Sequence, residues 1–394
     1  MADLFAIFNL KNASFTTYTS SMMTFRSSFM AWASTALLLS APFSQAQTPN
    51  SAPTLTLRPA PNFAPKVFEP TLGGYYSNNE EAMRFADTLA AQNQLDAEAL
   101  RQLLGQARFS PSAQRLMRPA EATFFKNWRV YRSRFIEPIR INAGLRFWRQ
   151  NRDALERAEA EYGVPVEVIL GIIGVETIYG RDMGSFRVMD TLATLAFDFP
   201  KTEKRDRSAF FKDELAAFLL LQLKNNADPF EVRGSYAGAI GMGQFMPSSI
   251  RSFAIDFDGD GTIDLSHSAT DVIGSVANYF KSYGWKRGAV ATFNIEFNPE
   301  TLDLNNLLVP DILPTFSPTQ MQAKGVILPP SAQEYAGHLA LIELFNGDPA
   351  LAGNEKQYLA GTENFYAITR YNQSSYYAMA VLDLGAAIRE QAGF

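Results

Sequence analysis

From Val166 to Ile178 the chain runs Val-Glu-Val-Ile-Leu-Gly-Ile-Ile-Gly-Val-Glu-Thr-Ile, a helical stretch apolar on nearly every face. A helix of that kind cannot lie on a surface; it must be wrapped by other elements. The 394 residues, 47% hydrophobic and 13% aromatic, suffice for one large core or two to three smaller ones. Pro165 suits the start of the helix and Gly180 its stop. Two acids interrupt it. Glu167 sits in the first turn, where a carboxylate favours the helix dipole. Glu176 lies nine positions on, on the opposite face, among Ile169, Ile172 and Ile173. The C-terminal end of the dipole and the apolar surround both disfavour its charged form, so its pKa is expected to rise. A carboxylic acid still protonated near neutral pH is what cleavage of a glycosidic bond requires. The residues alone leave a second reading open, in which Glu176 reaches solvent past the helix end.

The first 46 residues read as an export signal. Arg26 precedes an apolar run from Phe29 to Phe43, and Ser44-Gln45-Ala46 forms a small-x-small cleavage site leaving Gln47 as the mature start. The upstream stretch is long for such a signal, which points to translation starting at Met22 or Met23. A membrane anchor is the rival reading, but the run falls short of the roughly 20 residues a spanning helix needs. The implied location is the periplasm. Residues 47–70, rich in Pro, Ala and Thr, read as an extended linker.

Residues 71–160 read as an N-terminal helical domain ending in one long helical pattern up to Gly163. Between Arg115 and Arg152 ten Lys or Arg face two acids, Glu121 and Glu137, either as a solvated face or as a surface for an anionic polymer or headgroup. The core domain spans 161–288. Around 290 the period changes, and Thr292–Phe297 alternates as a half-buried strand does, within a small β-containing domain at 289–366. Asn372 or Ser374 caps a last helix, in a C-terminal segment (367–394) that closes the core. The fold class is therefore mainly α, with a minor β part (α+β). A net charge of −5 excludes a nucleic-acid footprint. The chain has no cysteine, which excludes disulfides, thiolate chemistry, cysteine-ligated zinc and an acylated lipoprotein cysteine.

Two further stretches carry chemistry. Residues 234–248, GSYAGAIGMGQFMPS, let a backbone approach a ligand closely, and Ser235 and Gln244 offer neutral hydrogen bonds suited to sugar hydroxyls or an acetamido group. The order of its glycines is not that of a dinucleotide loop; a turn with no ligand is the plainer alternative. Residues 256–265, DFDGDGTIDL, place Asp256, Asp258 and Asp260 at alternate positions, then Gly261, Thr262 and Asp264, as in an EF-hand loop. Position 12 is His267 instead of the usual Glu, and Asp271 is the candidate replacement.

Together GIIGVETIYGR, SYAGAIGMGQFMPSS, DFDGDGTIDL, DVIGSVANYFKSYGW and TRYNQSSYYAMAV resemble, in that order and over residues 65–394, the lytic murein transglycosylase B family. The resemblance implies a lysozyme-like helical core flanked by a helical domain and a small β domain, acting on peptidoglycan glycan strands. It implies Glu176 as the single catalytic acid/base. Ser235, Gln244, Tyr131, Tyr279, Tyr371, Asn372 and Tyr377 match positions lining the saccharide cleft; Asp256, Asp258, Asp260, Thr262 and Asp271 match an EF-hand-like calcium site. Calcium is then a structural ion, no cofactor is needed for the chemistry, and cell-wall synthesis or division proteins are the expected companions. Two departures stand out: the absent lipoprotein cysteine, and an altered segment after Leu265.

A hydrolase needs a second carboxylate near the first. Asp182 and Asp190 are the nearby acids, each equally a loop or cap residue. With one carboxyl, Glu176 is expected to protonate the bridge between N-acetylmuramic acid and N-acetylglucosamine, then take the proton of the muramic C6 hydroxyl as a 1,6-anhydro ring closes. A lysozyme-type hydrolase and a non-catalytic glycan-binding scaffold are the alternatives.

Overall fold

The computed structural model describes residues 74–118, 126–200, 206–348 and 351–393. The expected export signal and linker lie outside them. Side-chain caps start the first helices: Asn79, Asp96 and Ser110 accept from first-turn amides of α1 (Glu80–Asn93), α2 (Ala97–Gly105) and α3 (Pro111–Leu116). The long helical pattern that follows is broken into α4 (Trp128–Ser133), α5 (Pro138–Gln150) and α6 (Arg152–Tyr162). Pro138 has no amide with which to continue a helix, and the Glu137 carboxylate caps the new start by accepting from the Ile139 and Arg140 amides.

Next come α7 (Val166–Thr177), strand β1 (Phe186–Arg187), α8 (Val188–Phe197), α9 (Ser208–Lys224), strand β2 (Arg233–Gly234), antiparallel to β1, α10 (Pro247–Phe253) and α11 (Ala269–Ser282). The β-containing segment holds β3 (Thr292–Asn294), β4 (Glu296–Phe297), α12 (Leu304–Leu307), α13 (Pro318–Gln322), β5 (Val326–Ile327), α14 (Pro330–Gln333), β6 (Ala340–Leu344) and β7 (Gln357–Gly361). Helices α15 (Glu363–Tyr371) and α16 (Ser375–Ala392) end the chain, and Ser374, not Asn372, caps α16 through its side chain. The sheet runs β3-β7-β6, all antiparallel, and β4 pairs with β5. Because side chains alternate along a strand, the sheet serves two cores. Phe293, Leu341 and Ala360 pack with Leu307 and Met321 in a small local core; Ile342, Leu344 and Leu359 join the main helical core.

Every residue of α7 except Glu167 is buried, against α5, α6, α11 and above all α16. The α7–α16 contact is backbone to backbone. A Cβ on Gly171 would lie 2.2 Å from the Val381 carbonyl oxygen, and one on Gly385 2.1 Å from that of Glu167. The two glycines therefore set how closely the helices approach. No helix among the described residues is long and apolar enough to cross a membrane.

Candidate active site

Glu176, next to last in α7, lines the floor of a cleft of about 660 Å³. It is 8% exposed, and burial pushes its carboxyl up to about 7, while a hydrogen bond from Tyr377 pulls the other way. The Tyr377 hydroxyl donates to Glu176 Oε1 at 2.5 Å. Tyr377, expected on the sugar-lining wall, is 1% exposed and stands behind the acid. It holds Glu176 in place, and it reaches that point because α16 lies directly on α7.

The helix stops earlier than Gly180. Ile178 (φ 52°) and Tyr179 (φ 57°) are already left-handed before Gly180 (φ 85°), a conformation that costs a β-branched residue about 1–2 kcal/mol. Thr177 ties the turn down: its hydroxyl donates to the Met242 carbonyl at 2.7 Å and accepts from the Gly180 amide at 2.9 Å. Sequence reading passed over Thr177, although a hydroxyl directly after the acid at a helix end was the available signal.

The Met242 carbonyl belongs to the glycine-rich loop, which doubles back on itself. Ile240 and Phe245 exchange both backbone hydrogen bonds, and the Ser235 hydroxyl accepts from the Ala237 and Ala239 amides. Gln244 has φ 52° and donates its side-chain amide to the Gly241 and Met183 carbonyls at 3.0 and 3.1 Å. Its buried Oε1 has no partner, leaving an acceptor for a ligand N–H or O–H. Tyr371 donates to the Gly243 carbonyl at 2.6 Å and packs edge-on to Phe245 and tilted against Tyr279. Burial first, then the Glu176 charge, keeps the phenols of Tyr131 and Tyr371 well above their ordinary pKa, so both are neutral hydrogen-bonding groups. The cleft thus brings together Tyr131, Ser235, Gln244, Tyr279, Tyr371 and Asn372 around Glu176.

One other acid lines the cleft among the described residues: Glu214 of α9, which the sequence did not single out. Its two oxygens accept from the Ser248 amide and hydroxyl at 2.9 and 2.6 Å, fastening the start of α10. Asp190 accepts two bonds from Arg187 and one from the Arg108 amide, and Asp182 is exposed. Each of these acids has a structural occupation or faces solvent.

Beyond the cleft, Asp256, Asp258 and Asp260 each present an oxygen within 4.8 Å of the others. Amides of Gly259, Asp260 and Gly261 converge on Asp256, and Thr262 enters through its amide to Asp260. Asp271 is not part of that trio. It is 1% exposed, and it accepts from the Phe257 amide on one oxygen and the Asp264 amide on the other, at 2.7 and 2.9 Å, bracing the loop from beneath. The loop ends at Leu265, whose carbonyl accepts from the Met242 amide at 2.8 Å.

Comparison with known proteins shows the family. Residues 77–386 match the Transglycosylase SLT domain family. Over 325 residues the chain is 41% identical to the membrane-bound lytic murein transglycosylase B of Escherichia coli (strain K12), covering 80% of this chain and 85% of that protein. It superposes on the soluble lytic transglycosylase SltB1 of Pseudomonas aeruginosa with a TM-score of 0.71 at 40% identity, covering 80% of this chain and 100% of that one. The match to the Escherichia coli lytic transglycosylase Slt35 in complex with calcium has a TM-score of 0.68 at 39% identity, over 83% of this chain and 100% of that one. With its mainly helical, lysozyme-like core and an acid at the floor of the cleft, the chain belongs to the transglycosylase SLT family and is a lytic murein transglycosylase.

Proposed function

We propose that this enzyme cleaves the β-1,4 bond between N-acetylmuramic acid and N-acetylglucosamine in peptidoglycan and leaves a 1,6-anhydro end, with Glu176 as acid and then base. The observation that supports it most is one buried carboxyl raised to about 7 in a cleft whose other acid, Glu214, has both oxygens engaged. Glu176 gives its proton to the bridging oxygen as the bond to muramic C1 breaks. The substrate's own acetamido group, met by Gln244, shields the cationic sugar. The ionised Glu176 then takes the C6 hydroxyl proton as O6 closes on C1, which returns the acid form and consumes no water. Digestion of purified peptidoglycan with mass analysis tests this: the new ends are expected to be lighter by one water than hydrolysed ends. Ends of hydrolysed mass would replace this reading with a lysozyme-type hydrolase.

Tyr377→Phe removes the hydrogen bond that favours the Glu176 carboxylate. The alkaline limb of the pH–rate profile is expected to move to higher pH, measured as kcat against pH. A limb that stayed in place would remove Tyr377 from the acid's control.

The Asp256, Asp258 and Asp260 oxygens, with the Thr262 carbonyl, suit a calcium ion. In this reading the ion is structural, Asp271 braces its loop, and no chemical step passes through it. Saturating Ca²⁺ is expected to raise stability by about 2–3 kcal/mol at a hundredfold excess over Kd, and Asp256→Asn with Asp258→Asn is expected to abolish that gain in thermal melts. Export to the periplasm on the strength of residues 1–46 completes the proposal; N-terminal sequencing of the secreted protein is expected to begin at Gln47.

A further inference from the structure

A second groove, of about 740 Å³, lies between the small sheet and helices α4 and α16 and takes no part in the chemistry above. Helix α4 lines both depressions with different faces. Val130 and Tyr131, with Arg134 just past the helix end, line the cleft; Trp128, Arg129 and Arg132 line the second groove.

Two of the cations around this groove are ion-paired within the protein, and Arg129 and Glu355 are engaged only by the backbone of Gly353. Arg132 meets Asp383 at 2.5 Å, Lys356 meets Glu343 at 2.9 Å, and Arg129 donates to the Gly353 carbonyl at 2.9 Å. Neutral groups line it as well. Asn294 and Gln357 are exposed, and Phe297 is 37% exposed at the rim, with its ring edge-on to Tyr358. Asn346, deeper in and 5% exposed, gives its side-chain amide to the Glu355 carbonyl and leaves Oδ1 without a partner. Buried polar atoms are normally paired, so an orphan acceptor in a groove wall calls for a donor from outside. Neutral amides beside an aromatic ring suit an acetamido sugar, whose hydroxyls and N–H exchange hydrogen bonds while its C–H face covers the ring.

We infer that this groove is an auxiliary saccharide site for an N-acetylated amino-sugar segment of the wall polymer, separate from the cleft and serving to hold the strand. The inference rests on the reading that the substrate is a peptidoglycan glycan. Its test uses the β-1,4-linked N-acetylglucosamine tetramer, titrated by calorimetry and NMR into the Glu176→Gln protein, which binds without turnover. Two binding events are expected. Phe297→Ala with Gln357→Ala should remove one of them, and Tyr131→Ala the other. In the Glu176-containing protein the Phe297/Gln357 pair is expected to keep kcat on soluble fragments within about twofold while retention on insoluble peptidoglycan falls several-fold. A single event that the Phe297/Gln357 pair leaves unchanged overturns the inference. Should that pair fail to fold, Asn294→Arg decides: two intact events with this bulky charge at the rim also overturn it. Loss of the cleft event alone, with the groove event present, would instead count against the proposed reaction.

Discussion

Glu176→Gln is expected to lower turnover by about 10²–10⁴-fold, the usual contribution of a positioned general acid, which in the proposed reaction acts again as base. Single-turnover assays on purified glycan strands measure it; residual activity within tenfold of wild type would show that the acid lies elsewhere. The wild-type rate should fall as pH rises through about 7, because the proposed reaction starts from the protonated acid. Stability is expected to move the opposite way from activity in this variant. A carboxyl whose ordinary pKa of 4.5 is raised to about 7 by burial binds its proton more tightly folded than unfolded. Below the unfolded pKa both states are protonated and nothing is lost. The penalty grows between those two values and stays constant above about pH 7, at about 3 kcal/mol. Gln carries no charge and can still accept from Tyr377. Chemical denaturation should therefore show Glu176→Gln more stable than wild type at pH 8 and nearly equal to it at pH 4.

The second large effect is expected at Gly171. Its Cβ in an alanine variant would stand 2.2 Å from a backbone carbonyl of α16, which cannot rotate away as a side chain can. The helices must part, at a cost of about 3 kcal/mol or more. Since α7 carries Glu176 and α16 carries Tyr377, their 2.5 Å hydrogen bond should lengthen or break with the same shift. Denaturant unfolding and the pH–rate profile together check this: lost stability with an unmoved profile would show that the two helices separate without disturbing the acid. Gly385→Ala, facing the Glu167 carbonyl at 2.1 Å, is expected to behave alike.

Local features of the site were legible in the sequence. The apolar helix with its stray acid, the glycine-rich loop with Ser235 and Gln244, and the three alternating aspartates each lie within a short stretch, so periodicity and residue chemistry expose them. The aromatic wall was not legible in that way. Tyr131, Tyr279, Tyr371 and Tyr377 come from α4, α11, α15 and α16, and the partner of Glu176 stands 201 positions away. Only resemblance to a family placed them together, and it could not tell that Tyr377 stands behind the acid while Tyr371 faces the cleft. Asp271 shows a related limit: position in a loop pattern marks an acid as available, but the backbone amides that occupy its oxygens appear only when the chain is folded.

The link from Leu265 through Met242 to Thr177 joins parts that a linear reading treats as separate modules. The turn of the three aspartates, the glycine-rich loop and the helix end that carries Glu176 share a single strand of hydrogen bonds. Tuning any one of them, by evolution or by engineering, will retune its neighbours.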